Sequence, residues 1–291
     1  MKKFWFDSIG THLEILIDSD NSIDILKQEI ESRISLFEEK YSRFISDNWL
    51  HKLNNDRIGI LDLDGMNMLS KMLDIAKNTD GYFDPTIGKI LTKLWYGSQW
   101  IMKNEKQWIH WEKWFGDYRD IEIIENRIIL HGDIELEFGW IGKGYLIDII
   151  HEIIGKSEFH SDKYMINFGG DIYGSGGWNI GLESPFASDE VIGTIVLDNH
   201  FLACSAPTKR KWGNHHHLID PHTGESAREV VASYVEWESG MMTDGYATAL
   251  CVMPWKIACE ILKKTPEISG VIVSKDGEIF QKEGSKSEIF S

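Results

Sequence analysis

Apolar and polar residues alternate along 11–18, Thr-His-Leu-Glu-Ile-Leu-Ile-Asp, which predicts a half-buried strand. The period then lengthens. Ile23, Leu26, Ile30, Ile34 and Phe37 recur at helical spacing and Ser22 stands at a capping position, so a helix is predicted over 22–41. Residues 41–54 are mixed and polar, show no period, and read as a surface loop. A second amphipathic helix is predicted over 61–78, with Gly81 free to take the left-handed position beyond its end. In the following Tyr-Phe-Asp-Pro-Thr-Ile-Gly, Pro85 drives Asp84 out of the helical region. Tyr82, Phe83 and Asp84 are therefore expected on an extended loop, where an aromatic pair beside a carboxylate suits either a planar ligand or a core. Residues 120–125 and 127–131 flank Asn126 as a hairpin.

The alternation of Ile134, Leu136 and Phe138 breaks into Gly139, Gly142 and Gly144, with Lys143 between the last two. Tyr145, Ile149, Ile150, Ile153 and Ile154 then follow at helical period. A strand entering a helix through a glycine turn leaves N–H groups at the positive end of the helix, where an anion such as phosphate fits. The same glycines serve equally in a turn that only needs their backbone freedom. Strands are predicted at 163–168, which runs into Gly169-Gly170-Asp171, and at 178–182, 191–197, 229–237 and 270–274. Residues 201–205 turn from apolar to polar, and helices are predicted from Met242 to about Met253 and over 255–264. On the first of these, Asp244 and Thr248 share a face at i and i+4. They could hold a hard cation, or be a first-turn carboxylate and a threonine bonded back to a carbonyl. The mixture of strands and helices indicates an α+β fold, one large domain over 1–291.

Composition and residue pattern adjust this picture at five points. Five of the twelve tryptophans, Trp95, Trp100, Trp108, Trp111 and Trp114, crowd one segment, so 96–116 is expected to be a packed, tryptophan-rich insertion. The net charge of −16 argues against nucleic acid as a partner and requires that any anionic ligand be met by local donors or a bound cation. Cys204, Cys251 and Cys259 are scattered and odd in number, which suits thiols in a reducing compartment. No run of 18 apolar residues predicts membrane insertion, and the opening Met-Lys-Lys-Phe-Trp-Phe-Asp-Ser has no signal-peptide pattern, so a cytoplasmic location is expected. Histidines 215, 216, 217 and 222 invite a structural zinc reading. Adjacent histidines diverge in a strand, however, and no Cys or acidic residue stands at ligand spacing.

The order of these pieces resembles the ApbE family of FAD:protein FMN transferases over nearly the whole chain. Gly10-Thr11 resembles the family's Met-Gly-Thr, with Ile9 for methionine, and 41–54 matches its F-S-x-Y…S…L-N pattern through Ser42, Phe44, Leu53 and Asn54. Residues 81–88 with Leu94-Trp95 resemble G-x-F-D-P-T-V-G and L-W, and 136–148 resemble L-D-L-G-G-I-A-K-G-Y-x-x-D. Residues 167–171 match N-x-G-G-D, and 204–206 stand where the family has T-S-G. Residues 217–224 match H-I-I-D-P-x-T-G and 244–248 match D-x-x-x-T. The resemblance implies Mg²⁺ held by the Gly142 carbonyl, Asp244 and Thr248. It implies FAD contacts at Ile9, Phe44, Tyr82, Phe83, Asp84, Gly139, Tyr145 and Ile219, with Lys143 or the turn amides on the phosphates. The implied chemistry is attack of an acceptor flavoprotein's threonine (or serine) hydroxyl on the FMN phosphorus, with AMP leaving. Asp244 then belongs to the catalytic set, and His217 is the candidate general base, with Asp220 as its orienter or as a turn residue. The acceptor is expected to be cytoplasmic or on a cytoplasmic membrane face. Gly142 for alanine, Glu137 for aspartate, Ala206 for glycine and Phe44 for tyrosine depart from the family pattern. Two other readings share the site: an FAD diphosphatase giving FMN and AMP, and an FAD-binding module without turnover.

Overall fold

A computed structural model describes residues 1–19, 22–93, 116–156, 160–207, 211–212 and 215–290. Apart from Gly116, the expected tryptophan-rich insertion lies outside these residues. The chain opens with β1 (Lys2–Ser8), β2 (Thr11–Ile17), α1 (Asp24–Tyr41), α2 (Trp49–Asp56), β3 (Ile58–Ile60), α3 (Leu63–Asn78) and α4 (Gly88–Lys93). It continues with β4 (Ile121–Ile124), β5 (Arg127–Leu130), α5 (Gly142–Gly155), β6 (Tyr164–Phe168), β7 (Asp171–Ser175), β8 (Trp178–Glu183) and β9 (Val191–Leu197). Then come β10 (His200–Ser205), β11 (Lys211–Trp212), β12 (His215–His216), β13 (Val230–Trp237), α6 (Gly240–Val252), α7 (Trp255–Lys264), β14 (Ser269–Ser274), β15 (Ile279–Gln281) and β16 (Glu288–Ile289).

An eight-stranded antiparallel sheet, ordered β1-β2-β6-β7-β10-β13-β14-β15, forms the central layer. Side chains of period two give it two apolar faces. On one face Ile166, Phe168, Phe201, Ala203, Val235 and Ile272 join a core shared with the helices. On the other, Met165, Leu202, Tyr234, Val271 and Val273 meet Leu182, Ile195 and Leu197 of the small sheet β16-β9-β8. With both faces covered, the inner strands read as near-continuous apolar runs, which is why 163–168 and 229–237 are plain in the sequence. All thirteen residues of α6 are buried, so a carboxylate on it must be partnered.

Several elements differ from the sequence reading. The expected strand over 134–138 is an irregular segment, with Glu135 in an isolated bridge to Ile87. Residues 49–56 are helical: Asn48 accepts the His51 N–H at 2.8 Å as the cap, and Leu50 and Leu53 are buried. That helix is too short to display a period. β1 is an edge strand with Phe4 inward and Trp5 57% exposed, so its aromatics mask the alternation. At the end of α3 the first left-handed residue is Asp80 (φ 50°), and Gly81 (φ 77°) follows it, donating its N–H to Ala76 O at 2.8 Å.

Candidate active site

The site begins where α5 crosses α6. A Cβ on Gly144 would overlap the carbonyl oxygen of Gly240 and lie 2.8 Å from Met241 Cα, and one on Gly240 would lie 2.7 Å from the Gly144 carbonyl oxygen. Two hydrogen side chains thus let the backbones touch, and each helix then caps the other. Asp148 of α5 accepts the N–H groups of Gly240 (2.7 Å) and Met241 (2.9 Å) at the start of α6. Asp244 of α6 accepts the Gly144 N–H (3.1 Å) at the start of α5. Both carboxylates sit at positive helix ends, where negative charge is favoured. Burial nevertheless pushes Asp148 up to about 6, against the pull of these donors.

The glycine turn and the late helix therefore meet, as the proposed metal set requires. Lys143 Nζ pairs with Asp244 Oδ1 at 3.1 Å and, more closely, with Asp171 Oδ2 at the head of β7. Asp171 Oδ1 accepts the Cys204 N–H (3.1 Å) from β10. Burial, and then the neighbouring Asp171, raise the Asp244 pKa well above the ordinary carboxylate range, against the Lys143 charge. Burial works against the Lys143 charge, but Asp171 and Asp244 outweigh it and hold the lysine protonated. Two carboxylates against one ammonium leave one negative charge when both are ionised, which a proton on Asp244 or a bound cation can neutralise. Thr248, one turn beyond Asp244, has its hydroxyl 3.3 Å from that of Ser205. Gly142, Asp244 and Thr248 all line the cleft, and a carbonyl, a carboxylate and a hydroxyl are hard oxygen donors of the kind that fit Mg²⁺. Among the described residues no group of three His, Cys, Asp or Glu side chains stands together as a metal cage.

One cleft gathers Ile9, Phe44, Gly139, Gly142, Lys143, His217, Asp244 and Thr248 from five separate segments. Ile9 sits at φ 41°, a costly conformation for a β-branched residue, and its N–H donates to Glu38 Oε1 at 2.7 Å. His216 and His217 point opposite ways. His216 turns inward, its Nε2–H donating to Ala227 O at 2.7 Å, while His217 lines the cleft. Of the roles open to Asp220, it takes that of turn residue: its carboxylate accepts the His222 N–H (2.9 Å) and its carbonyl the Gly224 N–H (2.7 Å).

The other residues expected to contact FAD do not line this cleft, and Asp84 instead lines a separate cavity with Gly81, Tyr118 and His222. Phe83 is fully buried against Trp140, with ring centres 5.6 Å apart, and Tyr145 stacks on Phe37, which lines the cleft. Ile219 is fully buried. Tyr82 meets the His222 ring at 4.3 Å, and His222 Nε2–H donates to Asp80 O at 2.9 Å. Asp84 accepts the Thr86 hydroxyl (2.7 Å), the Thr86 N–H (2.8 Å) and the Tyr118 N–H (3.2 Å); burial still pushes it up to about 6. The loop of Tyr82, Phe83 and Asp84 is tied to the irregular segment that enters the glycine turn by Glu137 N–H to Pro85 O at 2.8 Å. The sequence reading of site roles missed Asp171, which pairs with Lys143 beside the cleft, and Phe37, Tyr41, Arg43 and Trp140, which line it. Asp171 had a signal, a carboxylate after two glycines at a strand end. Arg43 and Trp140 had none, because only the fold turns them to the cleft.

A family model described as "ApbE family" matches residues 9–272. The chain belongs to the ApbE family. It is 24% identical over 306 aligned positions to the FAD:protein FMN transferase of Haemophilus influenzae, covering 96% of this chain and 88% of that protein. To the FAD:protein FMN transferase of Klebsiella pneumoniae it is 27% identical over 155 positions, 50% of this chain and 48% of that one. The match thus spans about half of the Klebsiella relative. The ApbE protein of Thermotoga maritima superposes with a TM-score of 0.86 at 23% identity, covering 97% of each chain. The apo flavinyl transferase ApbE of Pseudomonas stutzeri superposes with a TM-score of 0.83 at 17% identity, covering 97% of this chain and 95% of that one. Against the ApbE pattern, Glu137 folds its longer arm back on its own turn, accepting the Gly139 N–H at 2.7 Å and pairing with Arg43 Nε at 3.1 Å. Phe44 stands 44% exposed, with the Arg43 guanidinium 5.5 Å from its ring centre. Ala206 lines the cleft.

Proposed function

We propose that this protein is a Mg²⁺-dependent FAD:protein FMN transferase. It moves the FMN half of FAD onto a threonine or serine hydroxyl of an acceptor flavoprotein and releases AMP. The observation that carries the reading is the junction of the glycine turn with the late helix. The buried Asp244 carboxylate, the Thr248 hydroxyl, Lys143 and a helix N-terminus line one cleft with Phe37, Tyr41, Phe44 and Trp140, and the buried Asp171 backs the lysine. An acidic protein meets a dinucleotide's diphosphate most readily at such a place.

Phe37, Tyr41, Phe44 and Trp140 offer apolar area to the isoalloxazine ring, and Ile9 closes its edge. Gly142, Asp244 and Thr248 hold the ion, which when bound neutralises charge on the diphosphate. Lys143 adds a positive charge in the same cleft. His217 takes the acceptor hydroxyl's proton as its oxygen bonds to the FMN phosphorus and the bond from that phosphorus to the AMP phosphate breaks.

Incubation with FAD, Mg²⁺ and a threonine-bearing acceptor tests this. AMP release should match the appearance of a fluorescent, covalently labelled acceptor one to one. Equal AMP release without any acceptor would mark a diphosphatase instead. Saturable FAD binding with no AMP would mark a binding module.

A further inference from the structure

Lys143 stands where the metal's own carboxylate is. Its ammonium is 3.1 Å from Asp244 Oδ1 and in closer contact with Asp171, with the lysine side chain 18% exposed and the two carboxylates 3% and 2%. Gly142 and Lys143 are consecutive at the start of α5, so a proposed ion ligand and this positive charge adjoin. A divalent ion taking Asp244 meets that charge at short range and in little water, where repulsion is strong. A long, flexible lysine at a cleft wall can turn to another anion.

We propose that Lys143 is a built-in stand-in for the divalent ion, and that its release couples metal binding to dinucleotide binding. Without ligands its ammonium bridges Asp171 and Asp244 and keeps the buried pair neutral enough to fold. When the ion binds, the ammonium leaves Asp244, and a diphosphate in the cleft gives it a new partner. Metal and FAD then bind cooperatively, each tightening the other by the same factor. This rests on the reading of the cleft as a metal and FAD site. It goes beyond that reading in making the lysine a competitor of the metal as well as a phosphate contact.

The test is direct binding of Mn²⁺, followed by electron paramagnetic resonance of the free ion, with and without FAD. Wild type, Lys143→Gln, Lys143→Arg and Asp244→Ala are compared. Without FAD, Lys143→Gln should bind Mn²⁺ at least about tenfold more tightly than wild type, because the repulsion is gone. FAD should tighten Mn²⁺ binding markedly in wild type and by a factor about tenfold smaller in Lys143→Gln. Melting in EDTA gives a second readout. Lys143→Gln should melt lower than wild type and be rescued by Mn²⁺, whereas wild type should respond little. Lys143→Arg keeps the charge and should bind Mn²⁺ without FAD no more tightly than wild type. Unchanged or weaker Mn²⁺ binding in Lys143→Gln, with wild-type binding still lost in Asp244→Ala, would overturn this proposal and leave the metal site standing. Absence of Mn²⁺ binding to wild type with FAD present would overturn both. If Lys143→Gln is recovered folded only with Mn²⁺, the stand-in role is supported by that dependence. If Lys143→Arg binds Mn²⁺ more tightly than wild type, the charge argument fails.

Discussion

Replacing Gly144 by alanine tests the helix crossing on which the site depends. The new Cβ would overlap the Gly240 carbonyl oxygen and lie 2.8 Å from Met241 Cα. Carbon atoms in contact prefer about 3.5 Å or more, so the two backbones must part by about 0.7 Å at the least. Neither is a flexible side chain, and both helices are packed in the core. Overpacking of this kind costs about 1–3 kcal/mol. Parting the helices also lengthens the Asp148 and Asp244 caps, where hydrogen bonds to charged groups contribute about 1.5–3 kcal/mol each. Alanine's better helix propensity returns at most about 1 kcal/mol. The expected net loss is about 3 kcal/mol, read from urea unfolding followed by tryptophan fluorescence at unchanged slope. Gly155→Ala at the other end of α5 is the control: its Cβ meets nothing within 4 Å, so it should be neutral or stabilising by up to about 1 kcal/mol. Gly144→Ala within about 0.5 kcal/mol of Gly155→Ala would refute the crossing argument.

Three further outcomes follow from the geometry. His217→Ala should lower FMN transfer by about 100-fold or more in single-turnover assays while leaving the FAD dissociation constant within about threefold, whereas His216→Ala should instead cost about 1–3 kcal/mol of stability by freeing the Ala227 carbonyl. Asp148→Ala strips the cap from Gly240 and Met241, and urea unfolding should show a loss of about 2 kcal/mol. Asp84, raised from 3.8 to about 6, binds its proton more tightly folded than unfolded, so its contribution to stability falls as pH rises through that window. Wild type should therefore lose about 2 kcal/mol relative to Asp84→Asn between about pH 4 and 6.5, and parallel stability profiles of the two would exclude a buried, perturbed Asp84.

Much of this protein is determined locally and is therefore readable along the chain. Strand β2 and helices α1 and α3 announce themselves because each buries one face, and period two or 3.6 is the direct imprint of that burial. The order of the motifs is a property of the sequence alone, and it identified the family before any contact was known. Elements whose burial is set by distant segments left no such imprint: α2, with only Leu50 and Leu53 buried, and the edge strand β1. The site divides in the same way. Gly142, Asp244 and Thr248 could be named from spacing and resemblance, but 102 positions separate Gly142 from Asp244 in the chain, and only the touching backbones at Gly144 and Gly240 bring them together. Tertiary structure also decided which of two adjacent histidines faces the cleft, buried Phe83 and Ile219 outside its lining, and made Asp171 the second partner of Lys143. The physical reason is that burial and charge pairing are properties of positions in space, and a sequence states them only where the neighbours in space are also neighbours along the chain.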